Sequence, residues 1–203
     1  MLKKGRPRKF DRNDALEKAM YVFWSKGFEN TSMPNLIEAM KINSPSIYAA
    51  FGSKEKLFLE AAELYSNTEG GRIWASMQTH ASARKAIERM LEVSVEEFSR
   101  ADRPNGCMIV LGSLHHEGGN DDIRKALQTR RMECLTIVYA RLIHDVNEGL
   151  LPAGPDWQSI AAYYVTLQQG LSIQARDGAT REALMAVVKC ALLSWDSLIA
   201  GEY

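Results

Sequence analysis

Residues 31–58, TSMPNLIEAMKINSPSIYAAFGSKEKLF, contain two helix-sized segments only a few residues apart and the start of a third. Ser32 is placed to cap the first, since a serine hydroxyl accepts an amide proton that a helix start leaves unpaired, and Pro34 falls in the opening turn, where its missing N–H is tolerated. Leu36, Ile37 and Met40 give that segment an apolar stripe. Asn43 is a good N-cap for the second helix, in which Pro45 again sits in the first turn and Ile47 and Phe51 lie one turn apart. Gly52 stops it, and Ser53 caps a third helix with Glu55 in its first turn.

Packing through Ile37, Met40, Ile42, Ile47 and Phe51 leaves the second helix with a small, hydroxylated outer face: Ser44, Ser46, Tyr48, Ala49 and Ala50. A face without bulk fits a groove, and the major groove of B-DNA admits one helix with its N-terminal residues at base edges. An ordinary helical hairpin within a bundle has the same local pattern. The upstream neighbour narrows the choice. Asp11 to Gly27 reads as one amphipathic helix, with Leu16, Ala19, Met20 and Phe23 at helical spacing and a basic last turn before a C-cap glycine, which completes a three-helix unit.

Across ALEKAMYVFWSKGFENTSMPNLIEAMKINSPSIYAAFGSKEKLF the chain resembles the N-terminal domain of the TetR family of transcriptional regulators. The most specific parts are F-x-x-x-G-F-x-x-T-S from Phe23 to Ser32 and I-Y-x-x-F-G-S-K-E-x-L from Ile47 to Leu57. Lys41 departs from the family pattern where a turn glycine is common, and Pro45 where a small flexible residue is usual. Ala49 and Ala50 stand where polar or basic residues are frequent. Direct readout is therefore expected to be sparse: hydroxyls from Ser44, Ser46 and Tyr48, and a thymine methyl against Ala49 or Ala50. By position, the resemblance implies phosphate contacts from Thr31, Tyr48 and Lys54, with the helix start at Ser53 adding its dipole. Ser32 and Pro45 complete the expected DNA-binding surface. A structural, half-buried Tyr48 is the competing reading.

The first twelve residues, MLKKGRPRKFDR, carry six basic side chains against Asp11 alone. Gly5-Arg6-Pro7 resembles the minor-groove element of AT-hook peptides, so Arg6 and Arg8 are expected at DNA, by groove insertion or by plain phosphate attraction. The whole chain is balanced, with 25 basic and 25 acidic residues among 203, so this basic character is local. No apolar run in the sequence is expected to reach the roughly 20 residues of a bilayer span, and no secretory signal is read at the start. Three cysteines without paired spacing fit a reducing compartment, and the expected location is cytoplasmic with no membrane partner.

Beyond Glu60 nearly everything reads as helix, punctuated at residues 67–71, 102–106, 118–119, 149–155 and 177–178. The expected fold class is all-α: a basic arm and helix-turn-helix unit over residues 1–55, then a helical effector and dimerisation domain over residues 56–203. A long amphipathic helix starts at Asp121. Asp156–Arg176 and Thr180–Ile199 are apolar on more than one side, so they either plug the core or meet a partner. The resemblance implies the partner: a homodimer built from the last two helices, with an interface expected at Tyr164, Leu167, Leu171, Leu184, Val187, Val188, Ala191, Leu192 and Trp195. Two reading helices in successive major grooves, about 34–36 Å apart, then meet a palindromic double-stranded operator.

The resemblance also implies a small-molecule effector in a pocket between helices, with candidate lining residues Trp74, Met77, Cys107, Met108, Leu111, His115, Met132 and Gln168. Plain core is the alternative for the Met and aromatic members. Cys107 follows Pro104-Asn105-Gly106 and opens an expected helix CMIVLGSLHH. There the helix start can stabilise a thiolate for electrophile or oxidant sensing, or the residue is an inert buried thiol. Cys134 and Cys190 read as packing. His115, His116 and Glu117 are adjacent and point to different sides of a helix, so no metal is expected. With no Gly-rich phosphate loop, nucleophile elbow or paired carboxylates, the chain reads as a non-enzyme without cofactors. Its expected role is a regulator, most simply a repressor released by its effector. A helical adaptor whose basic tail merely binds anions is the competing class.

Overall fold

The computed structural model describes residues 10–112 and 120–201. The basic arm with Arg6 and Arg8, and the His115-His116-Glu117 run, lie outside the described residues. Eleven helices and no strand occur among the described residues.

The first three helices, joined to the start of the fourth, form the head. Helix α1 (Arg12–Lys26) starts at Asp11, whose side chain accepts from the amides of Asn13 and Asp14, and ends at Gly27 with φ 75°. Helix α2 (Met33–Met40) starts in a reciprocal capping box between Ser32 and Asn35. Lys41 then takes a left-handed conformation, φ 59°, alone among the described non-glycine residues. This strain, usually relieved by glycine, sets the turn into α3 (Ser44–Phe51), which the Asn43 side chain caps at the Ser46 amide. Gly52, φ 84°, ends α3, and Ser53 caps α4 (Lys54–Asn67). Beneath them Phe58 meets Phe23 and Phe28 edge-on, with ring centroids 5.1 and 5.3 Å away.

The body is built around α6 (Ala83–Phe98), which buries nine residues and packs against α5 (Gly71–Thr79), α8 (Asp121–Asn147), α9 (Trp157–Arg176) and α10 (Arg181–Leu193). A short α7 (Met108–Leu111) follows Cys107, and α11 (Trp195–Ala200) closes the described chain. The single helix expected over residues 180–199 is broken at Ser194. The Ser194 hydroxyl donates to the Ala191 carbonyl at 2.7 Å and the Tyr164 hydroxyl reaches the same oxygen at 3.4 Å, so that acceptor is diverted from the helical ladder.

One buried carboxylate ties the end of α8 to the start of α6. Asp145 accepts from the Ala83 amide at 2.5 Å and from Arg141 Nε at 3.0 Å, while Arg141 also donates to the Met77 carbonyl. Burial alone would raise its pKa; the Ala83 amide, Arg141 and His144 together outweigh that and hold it below the ordinary carboxylate value. A lowered native pKa means that Asp145 contributes stability above its unfolded value near 4, and the contribution fades as pH falls through the native value. Asp145→Asn is expected to cost about 1.5–3 kcal/mol at neutral pH, and the gap to the wild type should narrow in acid-titrated thermal melts.

Candidate nucleic-acid interface and effector cavity

Helix α3 turns Ile47 and Phe51 into the core and leaves Pro45, Tyr48 and Ala49 exposed, with Ser44 and Ser46 half-buried beside them. Tyr48 is 46% exposed, and the hydroxyls of Ser44, Ser46 and Tyr48 make no hydrogen bond among the described residues. The face is thus slim and has three donors to offer.

Its surroundings differ from expectation. Thr31 is fully buried and its hydroxyl donates to the Gly27 carbonyl at 2.6 Å, so it fixes the α1–α2 loop and has no group free for a phosphate. Ser32 is exposed, but its hydroxyl is engaged with Asn35. Lys54 is half-buried with its ammonium 4.3 Å from the Phe28 ring centroid; desolvation lowers its pKa despite Glu29 and Glu55 nearby. Arg12, counted with the basic arm, is a strut: it pairs with Glu60 at 2.7 Å and lies 4.4 Å from the centroid of Phe51, anchoring α1 to α3 and α4.

In the body a cavity of about 270 Å³ lies between α4, α5, α7, α8 and α9. Of the eight expected lining residues, Trp74, Cys107 and Gln168 line it. Met77 and Met108 are core, Leu111 packs half-buried against that core, and His115 lies outside the described residues. Met132 is 55% exposed and borders a separate shallow depression between α8 and α9. Sequence reasoning missed Tyr65, Ile73, Ile109, Val110, Arg131 and Cys134, which reach the cavity only because α4, α7 and α8 converge there.

Of the two readings open for Cys107, a stabilised thiolate or an inert buried thiol, the structure favours the second. Burial raises its pKa, outweighing the Tyr65 hydroxyl, the Val110 and Ile109 amides and Arg131, all of which favour the thiolate. Cys134 is pushed up to about 12, also by burial, and lines the cavity rather than packing in the core. Cys190 is exposed.

Most residues expected at a dimer interface point inward. Tyr164, Leu171, Leu184, Val188, Ala191 and Trp195 are buried within the protomer, so they have no surface left for a second copy, while Leu167, Val187 and Leu192 are half-buried. The outward face instead carries Tyr163, Gly170 and Ile173 on α9, and Cys190 and Leu193 on α10. Contrary to the sequence expectation, residues 181–200 are, by length and composition alone, apolar enough to cross a membrane, although Ser194 divides them into α10 and α11.

The sequence model described as bacterial regulatory proteins, tetR family, matches residues 15–61, which covers α1 except its first three residues, α2, α3 and the first half of α4. The chain is also 30% identical to the HTH-type transcriptional repressor ComR of Escherichia coli (strain K12) over 197 residues, 97% of this chain and 94% of that one. The chain belongs to the tetR family. A second tetR-type relative, the HTH-type transcriptional repressor BdcR of the same organism, is 29% identical over 92% of this chain and 90% of its own length. Among solved structures, a cysteine mutant of the TetR family regulator CifR, complexed with 26-bp double-strand operator DNA, superposes with a TM-score of 0.91 at 40% identity, covering 94% of this chain and all of that one.

This tetR-family chain is therefore a DNA-binding transcriptional regulator, and a cluster of hydrogen bonds around Trp24 helps tie its head to its body. Trp24 Nε1 donates to the Gly106 carbonyl at 2.9 Å, and Arg176 at the end of α9 donates to the carbonyls of Trp24 and Ser25 at 2.8 and 2.9 Å. The next amide, Cys107 N–H, donates to Ser172 Oγ on α9 at 2.8 Å. Gly106 has φ 75°, and a Cβ there would lie 2.6 Å from the Ser172 carbonyl, so the position requires glycine on both counts. The cavity wall at Cys107 thus follows directly on the residue that α1 grips.

Proposed function

We propose that this chain is a homodimeric repressor that occupies a palindromic double-stranded operator through α3 and leaves it when a small molecule enters the body. The observation that carries this reading is the outer face of α3, where three unpaired hydroxyls and the Ala49 methyl stand clear of the protein. We divide the chain into a reading head, residues 1–55, and a sensing and dimerising body, residues 56–203, with α4 spanning the boundary. Tyr48 and Lys54 contact phosphates, Ser44 and Ser46 meet base edges, Pro45 and Ser32 border the groove, and Arg6 and Arg8 follow the adjacent backbone. The protein acts in the cytoplasm and is not an enzyme.

Dimerisation through the outward face of α9 and α10 accounts for two features that a lone protomer leaves without purpose. Leu193 is 81% exposed, and nothing lies within 4 Å of a Cβ built on Gly170, although a mid-helix glycine costs about 1 kcal/mol. A second copy covering this face buries the apolar side chains and brings its backbone close at Gly170, which also explains why so apolar a segment as residues 181–200 needs no membrane.

Release follows from population shift: a ligand that fits the cavity in only one arrangement of α4 and α7 favours the matching head separation. The reading predicts a protected inverted repeat in promoter DNA flanking the gene, bound with a salt slope of several phosphate contacts. Leu193→Asp should sediment as a monomer and lose that footprint. An adaptor with an anion-binding tail would give only weak, sequence-blind binding, and Leu193→Asp would leave it unchanged.

A further inference from the structure

The cavity carries more polar chemistry than an apolar effector needs. Its apolar walls include Ile73, Trp74, Ile109, Val110 and Ile137, and the exposed Glu133 also borders it without pairing to either neighbouring arginine; Gln168 lines it at 3% exposure, and the Gln168 amide makes no hydrogen bond among the described residues. Two consecutive arginines, Arg130 and Arg131, reach the same space, and neither forms an ion pair among the described residues. One guanidinium nitrogen of Arg131 donates to the Ile109 carbonyl at 3.1 Å, which holds the group in place and leaves its other N–H donors to the cavity. A partly buried cation without a counter-ion is costly, and a buried amide without partners adds to that cost. Both costs are recovered if an acceptor-rich anion enters.

We propose that the cavity binds a small aromatic monocarboxylate, with its carboxylate on the Arg131 fork and the Gln168 amide and its ring between Trp74 and the isoleucine walls. This rests on the effector reading above and specifies the chemical class of the effector. A planar carboxylate matches a guanidinium fork better than a single-atom acceptor does, and charge-assisted bonds in a sheltered site are about twice as strong as neutral ones. A volume near 270 Å³ limits the guest to a single substituted ring, below the usual range of drug-sized pockets of roughly 300–1,000 Å³. Desolvation also lowers the Arg131 pKa, opposed in part by Cys107, so burial disfavours the guanidinium charge that a bound carboxylate would stabilise.

The test is calorimetric titration of the full-length protein with benzoate and with its uncharged isostere benzamide, beside an independent operator-binding assay without ligand. Benzoate should bind at least about tenfold more tightly than benzamide. Arg131→Gln should erase most of that preference, Arg131→Lys should keep only part of it because the charge remains but the fork is lost, Gln168→Leu should weaken both probes, and circular dichroism should show all three folded. Equal affinity for the two probes, binding of neither at millimolar concentration, a preference untouched by Arg131→Gln, or affinities untouched by Gln168→Leu would overturn the proposal. Operator binding without benzoate preference sinks the carboxylate site and leaves the regulator intact; benzoate preference without any operator binding does the reverse.

Discussion

Ala49→Glu is expected to reduce operator affinity at least about 30-fold while leaving the fold unchanged. Ala49 is exposed on the outer face of α3, and glutamate is nearly as good a helix former as alanine, so the protomer has little reason to unfold. In the groove the same change replaces a methyl with an anion that faces phosphates and base acceptors. One disrupted base contact costs about 1–3 kcal/mol, and a twofold dimer incurs it at both half-sites, which gives the 30-fold lower bound. Fluorescence anisotropy on the protected promoter fragment measures the loss, and a thermal melt checks the fold. Binding within threefold of the wild type would show that α3 does not read the groove.

Phe58→Ala is expected to destabilise the protein by about 3–5 kcal/mol, the usual range for a fully buried phenylalanine. Phe58 is the ring against which Phe23 of α1 and Phe28 of the following loop both pack, so truncation leaves two edge-on partners facing a void. Its ring also lies 3.5 Å from where a Cβ on Gly112 would sit, at the seam between head and body. For a chain of this size the melting temperature should fall by roughly 6–20 °C, compared at fixed concentration because a dimer's melting point depends on it. Operator binding should weaken at temperatures where benzoate binding persists, since the damage is centred on the head.

The elements of the head were legible because their signals are local. Asp11, Ser32, Asn43 and Ser53 each cap the helix that follows within four residues, and Gly27 and Gly52 end helices at positive φ, so no distant contact is needed to place them. Lys41 was correctly read as a non-glycine residue holding the turn. Side-chain destinations were less legible. Thr31 fits the family position, but its hydroxyl was taken by a carbonyl four residues earlier. In α9 and α10 apolar residues occupy both sides, so periodicity alone could not tell the inward face from the outward one; Tyr164 went inside and its neighbour Tyr163 stayed out. The cavity depended most on distant packing, because Tyr65, Ile109 and Arg131 share no sequence neighbourhood.

The peptide plane joining Gly106 to Cys107 is clasped at both edges, its oxygen by the indole of α1 and its N–H by Ser172 of α9. A crankshaft turn of that plane would strain both grips together, because its oxygen and its N–H belong to one rigid unit. Such a turn would couple the cavity wall at Cys107 to the hold on α1, while Arg176 keeps its own grip on the Trp24 and Ser25 carbonyls, so the head would gain a hinge before it came free.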